Sequence, residues 1–404
     1  MSLKSILNLA IVMAFYSCQE NNSGPSGNWR AELYLQNDTL PFNFIIEDSA
    51  ELKLWLINGN EKILVEDVLI EKDSIKAQMH IFDTELRAKI IGNSMKGVFE
   101  KKYAQGYVLS FSAQKGIKYR FSEDPKTNLD ISGKWAVQFE SEAEDSTLAL
   151  GKFSQNGSKV EGTFLTITGD YRFLDGEVDG NQLKLSCFDG EHAFLFKARL
   201  GENDELSGYF KSGISWNETW TAQRNNSVEL KDAYQLTYLK EGYDSIYFAF
   251  PDMNGDTVKF PNPQLKGKVV LVQIFGTWCP NCMDETKFLA DWYKKNKDRG
   301  LEILAVAFER KNDLDYAAER VQKVKDKLGA NYTFLFGGPS DKQAASEAFP
   351  MLNQVMSFPT LIFIDRNGIV QKIHTGFSGP GTGLYYEKFV KEFEILSEEL
   401  LEEK

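Results

Sequence analysis

Cys279 and Cys282 stand with two residues between them in Trp278-Cys279-Pro280-Asn281-Cys282, shortly after Val269 to Phe275, a run that is apolar but for one residue. A continuous apolar run of this length reads as a buried central strand. After the cysteines, Phe288, Leu289, Trp292 and Tyr293 recur at helical spacing, so Pro280 to Lys297 is predicted to be a helix. Strand, Cys-x-x-Cys, helix is the setting in which such a pair does redox work. The first sulfur then lies at a helix N-terminus, where unpaired N–H groups and the helix dipole favour the thiolate. Such placement can take a thiol pKa from about 8.5 to between roughly 3.5 and 7.5. The thiolate is the attacking species in disulfide exchange, which makes Cys279 the expected nucleophile. Cys282, about one turn further along, is the expected resolving thiol.

Rival uses of these residues fit less well. A zinc site needs about four ligands, and beyond the pair only Cys187, His80, His192 and His374 are to hand; no metal and no cofactor is expected. A structural disulfide across two residues and copper delivery with help from His374 are minor readings. A thiol peroxidase would carry Pro-x-x-x-Thr-x-x-Cys, which does not precede Cys279. Cys187 alternates with Leu183 and Leu185 onto one strand face, as a buried structural thiol does. The loop Gly379-Pro-Gly-Thr-Gly383 precedes a helix and could cradle an anion. It lacks the residues of a phosphate loop and the dinucleotide spacing, and reads as a turn.

The elements around the cysteines make an α/β domain. A hairpin from Ile246 to Phe260 turns at Asn254-Gly255; Leu301 to Phe308 is a second buried strand, and Asp313 to Leu328 a helix. Thr360 to Ile364 and Ile369 to His374 flank the turn Asp365-Arg-Asn-Gly368, and Leu384 to Glu403 is a closing helix. That order is the α/β order of a thioredoxin fold. Before it, Asn28 to Arg224 reads as all-β, with short alternating runs between Gly, Asn and Asp turns. The β region is a duplication: Ser26-Gly-Asn-Trp29 returns as Ser132-Gly-Lys-Trp135, and Met95-Lys-Gly-Val-Phe99 as Leu206-Ser-Gly-Tyr-Phe210. Either each copy is a sandwich or barrel, or the two together close one larger barrel.

The chain has 404 residues and a formal net charge of −12, with no basic stripe, so nucleic acid is not an expected partner. Lys4, an apolar stretch from Ile6 to Tyr16 and then Ser17-Cys18 describe a secretory signal. The stretch is shorter than the about 20 residues a bilayer span needs. Phe15-Tyr16-Ser17-Cys18 resembles a relaxed lipobox, without its usual Leu, which makes Cys18 the expected lipidation site. The predicted organisation is a signal peptide over 1–18 ending in that cysteine and a flexible tether over 19–27. β-rich modules follow over 28–122 and 130–224, then a connector over 225–245 and a thioredoxin-like domain over 246–404.

From about Ile246 to the C-terminus the sequence resembles the TlpA/ResA-like thioredoxins, tethered extracytoplasmic members of the thioredoxin superfamily. The resemblance rests on Gly267-Lys-Val-Val-Leu-Val-Gln-Ile-Phe-Gly-Thr-Trp-Cys-Pro-Asn-Cys282 and Ser357-Phe-Pro-Thr-Leu-Ile-Phe-Ile-Asp-Arg-Asn-Gly368. The tether, the β-rich front and Thr375 to Gly383 also resemble Bacteroidota lipoproteins. The family implies thiol–disulfide exchange with protein substrates, in the reductase direction, and recharging by a transmembrane electron donor. It implies a lipid-anchored place in the cell envelope facing the periplasm, on either membrane. Pro359 is implied as a cis-proline facing the cysteines. With Phe358, Trp278 and Pro280 it is expected to bind substrate, Phe358 being bulkier than is usual in the family. Glu285 matches a carboxylate that ResA-like proteins keep near the pair; it shares a helix face with Cys282 and is the expected proton relay, Gln273 standing where thioredoxin has an acid. The rival from another class is an envelope binding lipoprotein, its β region capturing a ligand and its thioredoxin fold accessory.

Overall fold

The computed structural model describes residues 24–48, 51–65, 67–141, 146–214 and 216–403. The signal segment, Cys18 and most of the tether lie outside the described residues. Alternating apolar residues make each β module a curled antiparallel meander with one face inward. In the first, Gly27–Leu35 pairs with Asp38–Asp48 on one side and Val108–Lys115 on the other. Its sheet stays open between Glu61–Val65 and Asp67–Glu71. In the second, Lys159–Thr166 pairs with both Ser146–Asn156 and Leu174–Asp179, which closes the ring into a barrel. The two copies therefore form one sheet each rather than sharing one barrel. Phe139, Phe164, Phe196, Phe210 and Trp220 fill the closed barrel with ring-to-ring contacts, as side chains fill a barrel of about eight strands.

The duplicated residues do the same work in both copies. The indole N–H of Trp29 donates to Pro25 O at 2.8 Å, and that of Trp135 to Ile131 O at 2.9 Å. Gly97 and Gly208 let a neighbouring strand pass close: a Cβ on either would stand 1.8 or 1.9 Å from the carbonyl oxygen of Arg87 or Lys197. The copies also interlock. Phe188 of the second module enters the core of the first, its ring centroid 4.4 Å from that of Phe42 and 5.0 Å from that of Phe99. The Asn58 side chain receives Phe188 N–H at 3.1 Å and donates to Phe188 O at 3.0 Å, as a strand would.

The C-terminal region is the expected thioredoxin fold. Its central strand, Val269–Phe275, is buried throughout; it runs parallel to Leu301–Glu309 and antiparallel to Thr360–Ile364. Val370–Thr375 forms one edge and Thr333–Pro339 the other. The four helices are α1 (Pro280–Asn296), α2 (Leu314–Leu328), α3 (Lys342–Ala348) and α4 (Leu384–Glu402). The strand Thr333–Pro339 and α3 are additions to the elements read from sequence. Asp313 caps α2 rather than opening it: its side chain accepts from Tyr316 N. No helix among the described residues is long and apolar enough to cross a membrane.

Candidate active site

The central strand delivers the chain to the cysteines through a tight turn. A side chain at Gly276 would meet the Trp278 indole nitrogen at 2.2 Å and Phe308 O at 2.8 Å, so only glycine passes there. Trp278 Nε1 then donates to Phe308 O at 2.9 Å. Thr277 is held from below by Glu309, which accepts its N–H at 2.9 Å and its hydroxyl at 2.8 Å. Glu309 is fully buried, and burial pushes its pKa up to about 7 against those two donors. Glu309 was not singled out in sequence; a carboxylate ending an apolar strand was its one signal.

Cys279 is the N-cap of α1, with Pro280 as first helical residue. Its Sγ accepts Cys282 N–H at 3.3 Å and lies 3.6 Å from Phe358 O. The residue is half-buried, whereas Cys282 has no exposed surface. Burial pushes the Cys282 thiol well up, and the neighbouring Cys279 sulfur and Glu285 add to it. One sulfur is thus accessible and capped by an amide proton, the other withheld.

Glu285 is not a solvated helix residue. It is fully buried, its Oε2 accepting from Gln273 Nε2 at 2.8 Å while Oε1 has no partner. Burial raises its pKa to about 8, the Gln273 hydrogen bond opposing. Gln273 is tied in turn to Thr286, whose hydroxyl lies 3.2 Å from Nε2 and 3.3 Å from Oε1. The position that holds an acid in thioredoxin here holds the side chain that anchors one.

Phe358-Pro359 is a cis bond. The Phe358 ring is edge-on to Trp278 at 5.8 Å and tilted against Phe308 at 5.7 Å. Trp278, Cys279, Pro280, Cys282, Glu285, Phe358 and Pro359 are therefore brought to one place. Of the histidines, His192 lines the cleft beside Cys279, and His80 and His374 lie elsewhere. His374 is buried between Tyr234 and Phe389, burial lowering its pKa to about 4, while His192 bonds Asp189 and His80 bonds Asp67. Cys187 sits in the second module's core, its thiol pushed well up by burial.

A half-exposed sulfur capping a helix over a buried thiol and a buried carboxyl is built for thiol–disulfide exchange, and known proteins agree. The AhpC/TSA family model matches residues 242–373. Thiol–disulfide oxidoreductase ResA of Bacillus subtilis (strain 168) is 30% identical over 138 residues, which cover 34% of this chain and 69% of ResA. The chain belongs to the ResA-like thiol–disulfide oxidoreductases. A second relative of this family member, thioredoxin-like protein YneN of the same organism, is 28% identical over 138 residues, covering 34% of this chain and 73% of YneN. Among solved structures, the thioredoxin domain of a thiol–disulfide oxidoreductase from Bacteroides vulgatus aligns at 24% identity with a TM-score of 0.28. It covers 38% of this chain and 99% of that one. Like its relatives, this ResA-like protein is an enzyme of the thioredoxin superfamily, acting through Cys279 and Cys282.

Sequence reading did not find the second β module at this site. Its segment Thr166–Arg172 lies against α1 and the cis-proline loop: Ser357 Oγ donates to Thr168 O at 2.8 Å, and Asn281 Nδ2 to Asp170 O at 3.3 Å. The glycine loop is the expected turn, a single 3-10 turn over Pro380–Thr382, and its Gly379 N donates to Asp170 Oδ2 at 2.6 Å. Arg172 is buried among Asp284 of α1, Glu61 of the first module and Asp189 of the second. All of these contacts but Arg172–Asp189 join residues more than 100 positions apart, and no local pattern announces them.

Proposed function

We propose that this ResA-like protein reduces disulfides in protein substrates outside the cytoplasm, tethered to a membrane by a lipid on Cys18. The observation that carries the reading is the pairing of a half-exposed Cys279 sulfur, receiving a helix N-terminal N–H at 3.3 Å, with a fully buried Cys282. The Cys279 thiolate attacks a substrate disulfide, forming a mixed disulfide and releasing one substrate thiolate, which takes up a proton. Cys282 gives its proton to the Glu285 carboxylate, and its sulfur attacks Cys279, closing the Cys279–Cys282 disulfide and releasing the second substrate thiolate, which takes up a proton. Two electrons pass from enzyme to substrate, so a transmembrane electron donor must reduce the pair again.

Pro359 and Phe358 supply the backbone against which an extended substrate lies, and Trp278 and Pro280 flank the attacking sulfur. Glu285 accepts the Cys282 proton because its raised pKa, about 8, brings it near that of a thiol. The test is reduction of a flexible peptide closed by one disulfide, with a Cys279→Ser control, together with Cys282→Ser as a trap. Wild-type turnover lost in Cys279→Ser, and mixed disulfides accumulating on Cys279 in Cys282→Ser, are the expected results. A Cys282→Ser protein that recovers no adducts from envelope extracts would count against exchange with protein clients.

A further inference from the structure

Resting on that oxidoreductase reading, we infer that the second β module is the substrate-selecting wall of the active site. It admits to Cys279 a disulfide carried on one extended peptide segment and excludes a disulfide held on the face of a folded domain.

The wall is fastened to three segments next to the nucleophile. Thr168 O takes the Ser357 hydroxyl beside the cis-proline. It also lies so near Gly376 (φ 76°) that a Cβ there would stand 3.0 Å from it. Asp170 holds Asn281, between the two cysteines, through its carbonyl, and Gly379 through its carboxylate. Gly169 is so close to the dithiol turn that a Cβ on it would stand 2.4 Å from Asn281 Nδ2. Arg172 adds an ion pair to Asp284, two residues after Cys282. The far rim is fixed as well. Arg310, one residue after the strand Leu301–Glu309, donates to Glu191 Oε1 at 2.9 Å, and its guanidinium lies 3.5 Å over the Tyr103 ring of the first module.

What remains beside Cys279 is a cleft of about 360 Å³ with Thr166, Thr168 and His192 on the module side and Trp278, Cys279 and Arg310 on the thioredoxin side. That volume is at the low end of the roughly 300–1,000 Å³ of small-ligand pockets. A protein docking face needs about 800 Å² on each partner, and the module occupies the surface around the sulfur on which such a face would sit. A single strand, which in a sheet takes about 4.8 Å of width, is the protein-borne disulfide carrier that fits. A low-molecular-weight disulfide also enters, and its rate reports the sulfur's reactivity apart from the wall.

The experiment compares three disulfides on the full, reduced protein: a small aromatic disulfide, a flexible peptide closed by one disulfide, and a small folded domain with a solvent-exposed disulfide. The expected kcat/KM for the peptide exceeds that for the folded domain by about 100-fold, the penalty for keeping reacting atoms out of line. A second protein, Thr168→Trp, crowds the cleft. It is expected to lower kcat/KM for the peptide about 10-fold more than for the small disulfide, with its far-ultraviolet circular dichroism spectrum and melting temperature recorded to show that it folds. Equal rates on the peptide and the folded domain overturn the wall, as does a folded Thr168→Trp protein whose two rates fall together. Failure to reduce even the small disulfide overturns the oxidoreductase reading and the wall with it.

Discussion

Glu285→Gln replaces a proton-binding group by a near-isostere. Glu285 is fully buried with one oxygen unpartnered, and burial raises its pKa from 4.5 to about 8. Between pH 4.5 and 8 the folded protein therefore keeps a proton that the unfolded chain has released. The stability this confers is full below pH 4.5 and is lost as pH rises towards 8. At about 1.4 kcal/mol per pH unit, wild type forgoes roughly 3 kcal/mol by about pH 7 and roughly 5 by about pH 8. Glutamine has no proton to forgo, and every other titrating group is common to both proteins. Urea unfolding is expected to place the two proteins near each other at about pH 5 and to put Glu285→Gln ahead by a few kcal/mol above about pH 7. The same variant is expected to slow release of the mixed disulfide and to remove the rise in that rate with a midpoint near pH 8. A stability difference that stays constant from about pH 5 to 8.5 would refute a neutral, buried carboxyl, and an unchanged release profile would refute its proton-accepting role.

Three further outcomes are expected. Thr277→Val leaves Glu309 Oε2 buried without its 2.8 Å donor, lowering urea stability by about 1–3 kcal/mol, with Thr277→Ser restoring it. Arg172→Met strands Glu61, Asp189 and Asp284 without their shared cation; a loss of about 3–5 kcal/mol is expected in denaturant, smaller in acid, where Glu61, raised by burial to about 7, is protonated. Phe188→Ala empties a ring site in the first module's core, for about 3–5 kcal/mol by the same measurement; a change below 1 kcal/mol would show that the module closes without it.

The parts of the molecule legible in its sequence are those governed by neighbours along the chain. The buried run before Cys279, the helical spacing after it and the Asp365-to-Gly368 turn each carry a local pattern, and the fold class followed from their order. The tryptophan repeat was legible because both copies use the indole to tie down the residue four positions back. The edge strand Thr333–Pro339 was missed because it has two glycines and ends in proline, which argue against a strand locally. Gly337 is there because the Phe308 ring lies within 2.6 Å of where its Cβ would be, a contact made across the sheet. Glu285 stood out through the family resemblance and its shared face with Cys282, but its burial shows only once Gln273 on the adjoining strand covers it. Asp170 and Gly379, 209 positions apart, meet only once the barrel has closed and docked.

The ring of Phe188 in the first module's core makes the duplication irreversible in a physical sense. The earlier half borrows an aromatic plug, and a mimic of strand pairing at Asn58, from the later half. A polypeptide cut between them would leave an open-sided sheet around a greasy hole. On the ribosome the first half, which ends near 122, waits for its plug until Phe188 has been made.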